Sequence, residues 1–213
     1  MNGINKQLAE INGMPVFVVS ALAFERCEKV GEIIIAAPSG ECGRFEALAK
    51  SFGVSKLSSV VEGGCSRFQS VKKALDAVSP SAELIAFHDG ARPLITAEDI
   101  EKVLSDAEKY GAAIAAVPAI DTVKHVSSEG FIENTPDRSK LFYAQTPQVF
   151  RKKLFLDCLE KLGEKAENVT DDSQLLELCG EHVKITELSG CNMKITRPED
   201  LTAARAIYSI RNS

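Results

Sequence analysis

The sequence predicts one α/β domain, residues 1-213, built on a mostly parallel sheet with helices on both faces. Three observations predict it. Short β-branched or apolar runs recur along the chain. Amphipathic stretches separate them. The 213 residues, 45% of them hydrophobic, suffice for one substantial core.

The elements follow in order. Glu32 to Ala37 (EIIIAA) reads as a buried strand. Lys56 to Val61, Leu84 to His88 and Ala113 to Val117 read as three more, the last stopped by Pro118. Helices are expected over Gly43 to Phe52, Arg67 to Val78 and Ala97 to Tyr110. In the last, Ile100, Val103, Leu104 and Ala107 share a face, with Thr96 as N-cap. The rhythm breaks from Asp121 to Tyr143. Val123 to Val126 and Phe131 to Glu133 flank Ser127-Ser128-Glu129-Gly130, a hairpin signal. We read it as polar, so it should project as a lid or as an arm toward a second subunit. Helices return at Arg151 to Leu162 and Asp171 to Leu178, then a strand at Val183 to Leu188 and a helix from Pro198 to Ile210. Thr196-Arg197-Pro198-Glu199 has capping-box spacing.

Charge narrows the function. The formal net charge is -5 and no basic stripe occurs, so a phosphate ligand needs a local cationic site and nucleic acid is not an expected partner. The six cysteines are scattered without a C-x-x-C pair, which suits reduced thiols and a cytoplasmic protein rather than disulfides or zinc. No apolar run is long enough for a bilayer, and Met1 to Glu10 does not read as a signal peptide.

In such a sheet, ligands bind beyond the carboxyl ends of the strands. Glu62-Gly63-Gly64-Cys65-Ser66-Arg67 lies at one such end and opens a helix. Its glycines allow close backbone approach, and the helix start could offer N–H groups to an anion. Taken alone, it fits a plain strand-to-helix turn better. His88-Asp89-Gly90-Ala91-Arg92-Pro93 brings a carboxylate and a guanidinium to a second end, suited equally to a ligand or to a structural pair. His88 reads as a packed neighbour. Ala144-Gln145-Thr146-Pro147-Gln148 reads as a turn, and Thr170-Asp171-Asp172-Ser173 as a helix cap. Lys194, between apolar residues, must snorkel or meet an anion. Lys6-Gln7 carries no signal alone.

Together and in order, these segments resemble the 2-C-methyl-D-erythritol 4-phosphate cytidylyltransferase family. The resemblance runs through Asn5-Lys6-Gln7, EGGCSRFQSV from Glu62, HDGARP from His88, DTVK from Asp121, Asp137-Arg138, QTPQ from Gln145, TDDS from Thr170 and NMKITRPEDL from Asn192. It implies a Rossmann-like nucleotidyltransferase fold with a projecting arm over 121-143, and a homodimer. It implies transfer of a cytidylyl group from CTP to a sugar-alcohol phosphate with release of pyrophosphate, an early step of the non-mevalonate isoprenoid pathway. By resemblance, Lys6 and Lys194 are the catalytic lysines at the reacting phosphate. Gly63, Gly64, Arg67, Ser70 and Asp89 fall where the nucleotide is read. Arg92 lines the site toward the sugar phosphate. Thr122 and Arg138 match arm residues that reach the acceptor phosphate across the dimer. Thr146 and Thr170 match substrate-side contacts. Mg²⁺, or another divalent cation, would be held mainly by the triphosphate, with no dedicated protein ligands.

The sequence departs from that pattern twice. Members carry a strand and a Gly-rich loop with a catalytic arginine ahead of the Lys-Gln pair. This sequence starts inside that motif, and an incomplete N-terminus is the expectation. Cys65 stands where an acidic residue often follows the Gly-Gly pair. Two rivals stay open: a ribitol-5-phosphate cytidylyltransferase, and a non-catalytic nucleotide-binding protein without the first loop.

Overall fold

The computed structural model describes residues 6–188 and 190–212. The chain opens with a small hairpin, β1 (Glu10–Ile11) and β2 (Met14–Pro15), turned by Asn12 and Gly13 at positive φ. Then come α1 (Val16–Arg26), β3 (Ile33–Ala37), α2 (Cys42–Ser51), β4 (Leu57–Glu62), α3 (Arg67–Leu75), β5 (Leu84–Phe87) and α4 (Ala97–Tyr110). The second half holds β6 (Ala112–Pro118), β7 (His125–Val126), β8 (Ile132–Asn134), β9 (Phe142–Arg151), α5 (Lys152–Leu162), α6 (Asp172–Leu178), β10 (Lys184–Glu187) and α7 (Pro198–Arg211).

The fold is the α/β arrangement the sequence predicts, with a mixed sheet. β3 pairs with β4 in parallel, and β6 with β10 in parallel. The long strand β9 runs antiparallel between β6 and β5, giving the order β10-β6-β9-β5. Helices cover both faces because β6 buries both of its faces. Ala113 and Ala115 pack with Ile100, Val103 and Leu104 of α4. Ala112 and Ile114 pack with Phe155 of α5 and with Leu175 and Leu176 of α6. This is period-two alternation with two apolar sides, so the strand reads as a continuous apolar run.

Local chemistry fixes the helix ends. Thr96 caps α4 as expected, its hydroxyl accepting Asp99 N–H at 3.2 Å, a contact worth about 1 kcal/mol. Gly111 ends that helix at φ +91°, a left-handed conformation that favours glycine. The cap of α7 corrects the sequence expectation. Asp200, not Glu199, does the capping: its Oδ2 accepts Thr196 N–H, Thr196 Oγ1–H and Arg197 N–H, each at 2.8 Å. The helix begins at Pro198, as the sequence predicts, with that proline in its first turn. Only the capping box is shifted by one residue from the Thr196 spacing.

The hairpin of β7 and β8 is present in the expected segment, turned through Gly130 at φ +85°. Its expected polarity is corrected. Val126, Phe131 and Ile132 are exposed on it, and Ile120, Phe142 and Tyr143 are exposed at its base.

A cavity of about 1550 Å³ lies between β3 and β5. Its lining includes apolar strand surface from Ile33–Ala36 and Leu84–Phe87. The end at the strand carboxyl termini is lined by Gln7, Arg67, Ser70, His88, Asp89 and Gly90. That end brings Arg67 and Asp89 to the cavity beside Gln7, Ser70 and His88.

Candidate active site at the strand carboxyl ends

Three chain segments meet where β5 ends. Asp89 leaves β5 and accepts from Lys194 Nζ at 2.9 Å and from Arg92 Nε at 3.4 Å, both on Oδ2. Arg92 also donates to the Asn192 carbonyl at 2.8 Å through Nη1. Ile195 N–H donates to the Ala91 carbonyl at 2.8 Å, which ties the Lys194 segment to the 88–92 loop. Asn192 is 2% exposed and donates to the Thr146 carbonyl at 2.8 Å and to Gln145 Oε1 at 3.1 Å. Sequence reading left Asn192 without a role. It ties β9, through Gln145 and Thr146, and the 88–92 loop, through Arg92, to the Lys194 segment.

The charges in this cluster are set by their neighbours. Burial pushes the Asp89 carboxyl up, but the hydrogen bond and charge of Lys194, with Arg92 behind them, outweigh it and hold the carboxyl below its usual range. Burial lowers the Arg92 guanidinium against the opposing pull of Asp89. At neutral pH the cluster therefore carries one carboxylate and two cations. Lys194 keeps 39% of its side chain exposed, so its ammonium can also meet an incoming anion.

Gly63 and Gly64 follow β4, and both lack room for a side chain. A Cβ on Gly64 would lie 2.2 Å from Gln69 Cβ, and one on Gly63 would lie 3.2 Å from the Ala37 carbonyl oxygen. The N–H groups of this loop are already paired within the protein. Gly63 N–H donates to Ala37 O, Gly64 N–H to Ser70 Oγ and Cys65 N–H to Gln69 Oε1. The loop is satisfied from within, and Ser70 donates onward to the Ser66 carbonyl at 3.0 Å.

Arg67, matched by resemblance to a nucleotide contact, has a partner within the protein. It turns to Asp172, a carboxylate 4% exposed at the start of α6. Nη1 meets Oδ1 at 2.6 Å and Nη2 meets Oδ2, a bidentate fork. Asp172 holds Arg67 firmly protonated, whereas burial pushes Asp172 itself above the usual carboxylate range. Gln148 reinforces this junction by accepting Ser173 N–H at 3.0 Å and donating to Asp171 Oδ2 at 2.9 Å.

Thr146 and Thr170, expected on the substrate side, are engaged within the protein. Thr146 is 6% exposed, and its hydroxyl contacts Asp89 N and His88 Nδ1. Thr170 is exposed and donates to Gln174 Oε1 at 3.2 Å, while Asp171 caps α6. The plain cap reading of that segment holds. Lys6 lies half-buried in the turn ahead of β1. Its neighbour Gln7 comes within 3.8 Å of the Cβ position of Gly90. Lys6 is thereby at the same end of the molecule as Asp89. Thr122 and Arg138 are exposed at the arm, where Arg138 donates to the Ile120 carbonyl at 2.6 Å. Neither has a hydrogen bond or ion pair to Asp89, Arg92 or Lys194.

A site of this kind can hold an anion between a fixed guanidinium and a partly exposed ammonium. Comparisons with known proteins point the same way. Residues 1–209 match the family model of 2-C-methyl-D-erythritol 4-phosphate cytidylyltransferase. The enzyme of that name from Geobacillus kaustophilus (strain HTA426) is 39% identical over 209 residues, covering 98% of this chain and 91% of its own. The one from Alkaliphilus oremlandii (strain OhILAs) is 40% identical over 211 residues, covering 97% and 88%. Among solved structures, 4-diphosphocytidyl-2C-methyl-D-erythritol synthase from Anaerococcus prevotii DSM 20548 superposes with a TM-score of 0.88 at 30% identity, covering 98% of this chain and 92% of that one.

Proposed function

The chain belongs to the 2-C-methyl-D-erythritol 4-phosphate cytidylyltransferase family, and from that premise we propose how its strand-end site performs the reaction. The activity is CTP-dependent cytidylyl transfer to 2-C-methyl-D-erythritol 4-phosphate, releasing pyrophosphate, in the non-mevalonate isoprenoid pathway. The observation that carries the site assignment is the convergence of Asp89, Arg92 and Lys194 from distant segments at the end of β5.

An oxygen of the acceptor phosphate attacks the α-phosphorus of CTP in line. The new P–O bond forms as the bond from the α-phosphorus to the bridging oxygen breaks, and pyrophosphate leaves with that electron pair. The acceptor phosphate is already ionised near neutrality, so no general base is needed. Positioning and charge stabilisation carry such a transfer. Lys194 and Lys6 neutralise charge on the oxygens of the transferred group. Arg92 sits behind Asp89 and orients it. Gly63 and Gly64 lie against the base and ribose, with Ser70 bracing them. The Arg67–Asp172 fork holds that loop in place, and Thr170 borders the acceptor side.

We also propose Mg²⁺ as cofactor. Among the described residues no three His, Cys, Asp or Glu side chains group as a metal site, and Asp89 Oδ2 is taken by two cations. That donor set fits a cation held mainly by triphosphate oxygens and water, which would neutralise the leaving pyrophosphate. The six free cysteines suit a reducing compartment, and we place the chain in the cytoplasm. No helix among the described residues is long and apolar enough to cross a membrane.

The test is pyrophosphate release from CTP and Mg²⁺ with 2-C-methyl-D-erythritol 4-phosphate, with ribitol 5-phosphate as the competing acceptor. Release only with ribitol 5-phosphate would transfer the assignment to that acceptor. Release with neither would refute it.

The arm supplies a further expectation. Val126 and Ile132, paired across the two strands, and the adjacent Phe131 are exposed apolar residues on a two-stranded hairpin, a combination that calls for a partner. We propose a second copy of the chain, with Thr122 and Arg138 serving the neighbour's acceptor phosphate. Light scattering should then give twice the 23.0 kDa chain mass. Replacing Phe131 and Ile132 together by Glu should give the single-chain mass and lower turnover by about an order of magnitude. A monomeric wild-type chain with full turnover would refute the shared site.

A further inference from the structure

We propose that His88 and Thr146 form a fixed hydrogen-bond relay that positions the Asp89 carboxylate, and through it Lys194, for phosphoryl transfer. The proposal rests on the cytidylyl-transfer reading and adds two positioning residues to it. Neither side chain needs to touch a substrate.

The direction of the relay follows from what each atom can do. His88 Nε2 lies 3.2 Å from the Arg92 carbonyl oxygen, which can only accept, so Nε2 carries the proton. In the neutral ring Nδ1 is then an acceptor. Thr146 Oγ1 lies 3.1 Å from it and must donate. That leaves Thr146 a lone pair for Asp89 N–H, which it accepts at 3.0 Å. The chain of donors runs from Asp89 N–H through the Thr146 hydroxyl and the imidazole to the Arg92 carbonyl. Both ends belong to residues whose side chains form the charged cluster. The loop 88–92 is thereby closed on itself at the backbone.

Independent packing holds the ring and its loop in place. Phe24 of α1 stacks on His88 with ring centroids 4.9 Å apart, tilted by 57°. From the same helix, Ser20 donates to the Gly90 carbonyl at 3.1 Å. Burial pushes the imidazole down to about 4, against opposing hydrogen bonds, so it is neutral at working pH. A cationic ring would lose Nδ1 as an acceptor and break the relay at Thr146. A purely space-filling role would require neither a paired nitrogen at each end nor a threonine hydroxyl with 6% exposure between them.

The experiment is a double-mutant cycle on turnover. Thr146→Val and His88→Phe should each lower kcat about tenfold with KM for CTP within about threefold. The double variant should lose no more than the worse single. His88→Asn, whose Oδ1 can still accept from Thr146, should lose less than His88→Gln, whose amide can only replace Nε2. Thr146→Ser keeps the hydroxyl and should recover most of the loss of Thr146→Val. Multiplicative losses in the cycle, or a His88→Phe chain that folds and turns over at the wild-type rate, would overturn the relay. If His88→Phe does not fold, the Thr146 pair decides alone. A second readout does not need turnover. The chain has three histidines, so the ¹⁵N shifts of His88 can be assigned. They should report an Nε2–H tautomer, and the Nδ1 shift should move in Thr146→Val. An Nδ1–H tautomer would refute the relay even if cytidylyl transfer itself failed to appear.

Discussion

Lys194→Ala is expected to lower kcat about 10²- to 10³-fold while KM for CTP changes only a few-fold. The ammonium lies 2.9 Å from Asp89 Oδ2 yet stays 39% exposed. It is held in place without being used up. Charge grows on the transferred group only in the transition state, so losing this cation should raise the barrier more than it weakens binding. The variant also has a signature in pH. Lys194 is the strongest influence holding the Asp89 carboxyl down against burial. Without it, burial dominates and the carboxyl rises. The acid limb of the kcat profile should therefore move to higher pH in the residual activity. Steady-state pyrophosphate release against pH measures both effects. Wild-type kcat in the variant would remove Lys194 from the chemistry. A loss confined to KM would make it a binding group only.

Much of this architecture is legible in the residues. The strands β3, β4, β5 and β6 are short apolar or β-branched runs, and each lies within a residue or two of its expected position. The helix α4 shows its apolar stripe, its Thr96 cap and its terminal glycine in plain order. The helix α1 does not. Its start, Val16-Phe17-Val18-Val19, is buried in full, so it has no polar face from which to read a helical period. The hairpin of β1 and β2 is two residues per strand, below what alternation can reveal. In the site, the strand-end segments carry the right residue types, but their pairings do not follow from local spacing. Arg67 finds Asp172 at a separation of 105 residues. A lone arginine after a glycine turn reads equally as a ligand contact. The partners of Thr146 are hidden for a similar reason. Its hydroxyl is spent on Asp89 and His88, partners that only the antiparallel pairing of β5 with β9 brings near.

Arg67→Met is expected to destabilise the fold by about 2 kcal/mol at neutral pH, a fall in Tm of roughly 4–8 °C for a chain of this size. Breaking a fully buried pair costs about 3–5 kcal/mol. Here Asp172 is 4% exposed but Arg67 keeps 45% of its side chain in solvent, and the lower figure allows for that screening. The cost arises chiefly from the carboxylate left behind, which gives it a pH dependence of known sign. Burial already raises Asp172 above its unfolded value, and losing Arg67 raises it further. A carboxyl raised in the folded state binds its proton more tightly there than in the unfolded chain. Its penalty is therefore full above the folded value and is relieved as pH falls through it. Thermal unfolding at about pH 7.5 and about pH 5 should show the gap between variant and wild type shrinking in acid. A gap that stayed constant or widened would remove Asp172 as its source. The companion Arg67→Met with Asp172→Leu deletes both charges and should recover most of the stability, because an apolar pair of similar volume can replace a buried ion pair. That double variant separates fold from function. Arg67 begins α3 directly after the Gly63–Gly64 loop, and Asp172 begins α6. If the fork sets the loop's position for the nucleotide, KM for CTP rises several-fold in a protein as stable as the wild type. If the fork only holds the fold together, stability and KM return together.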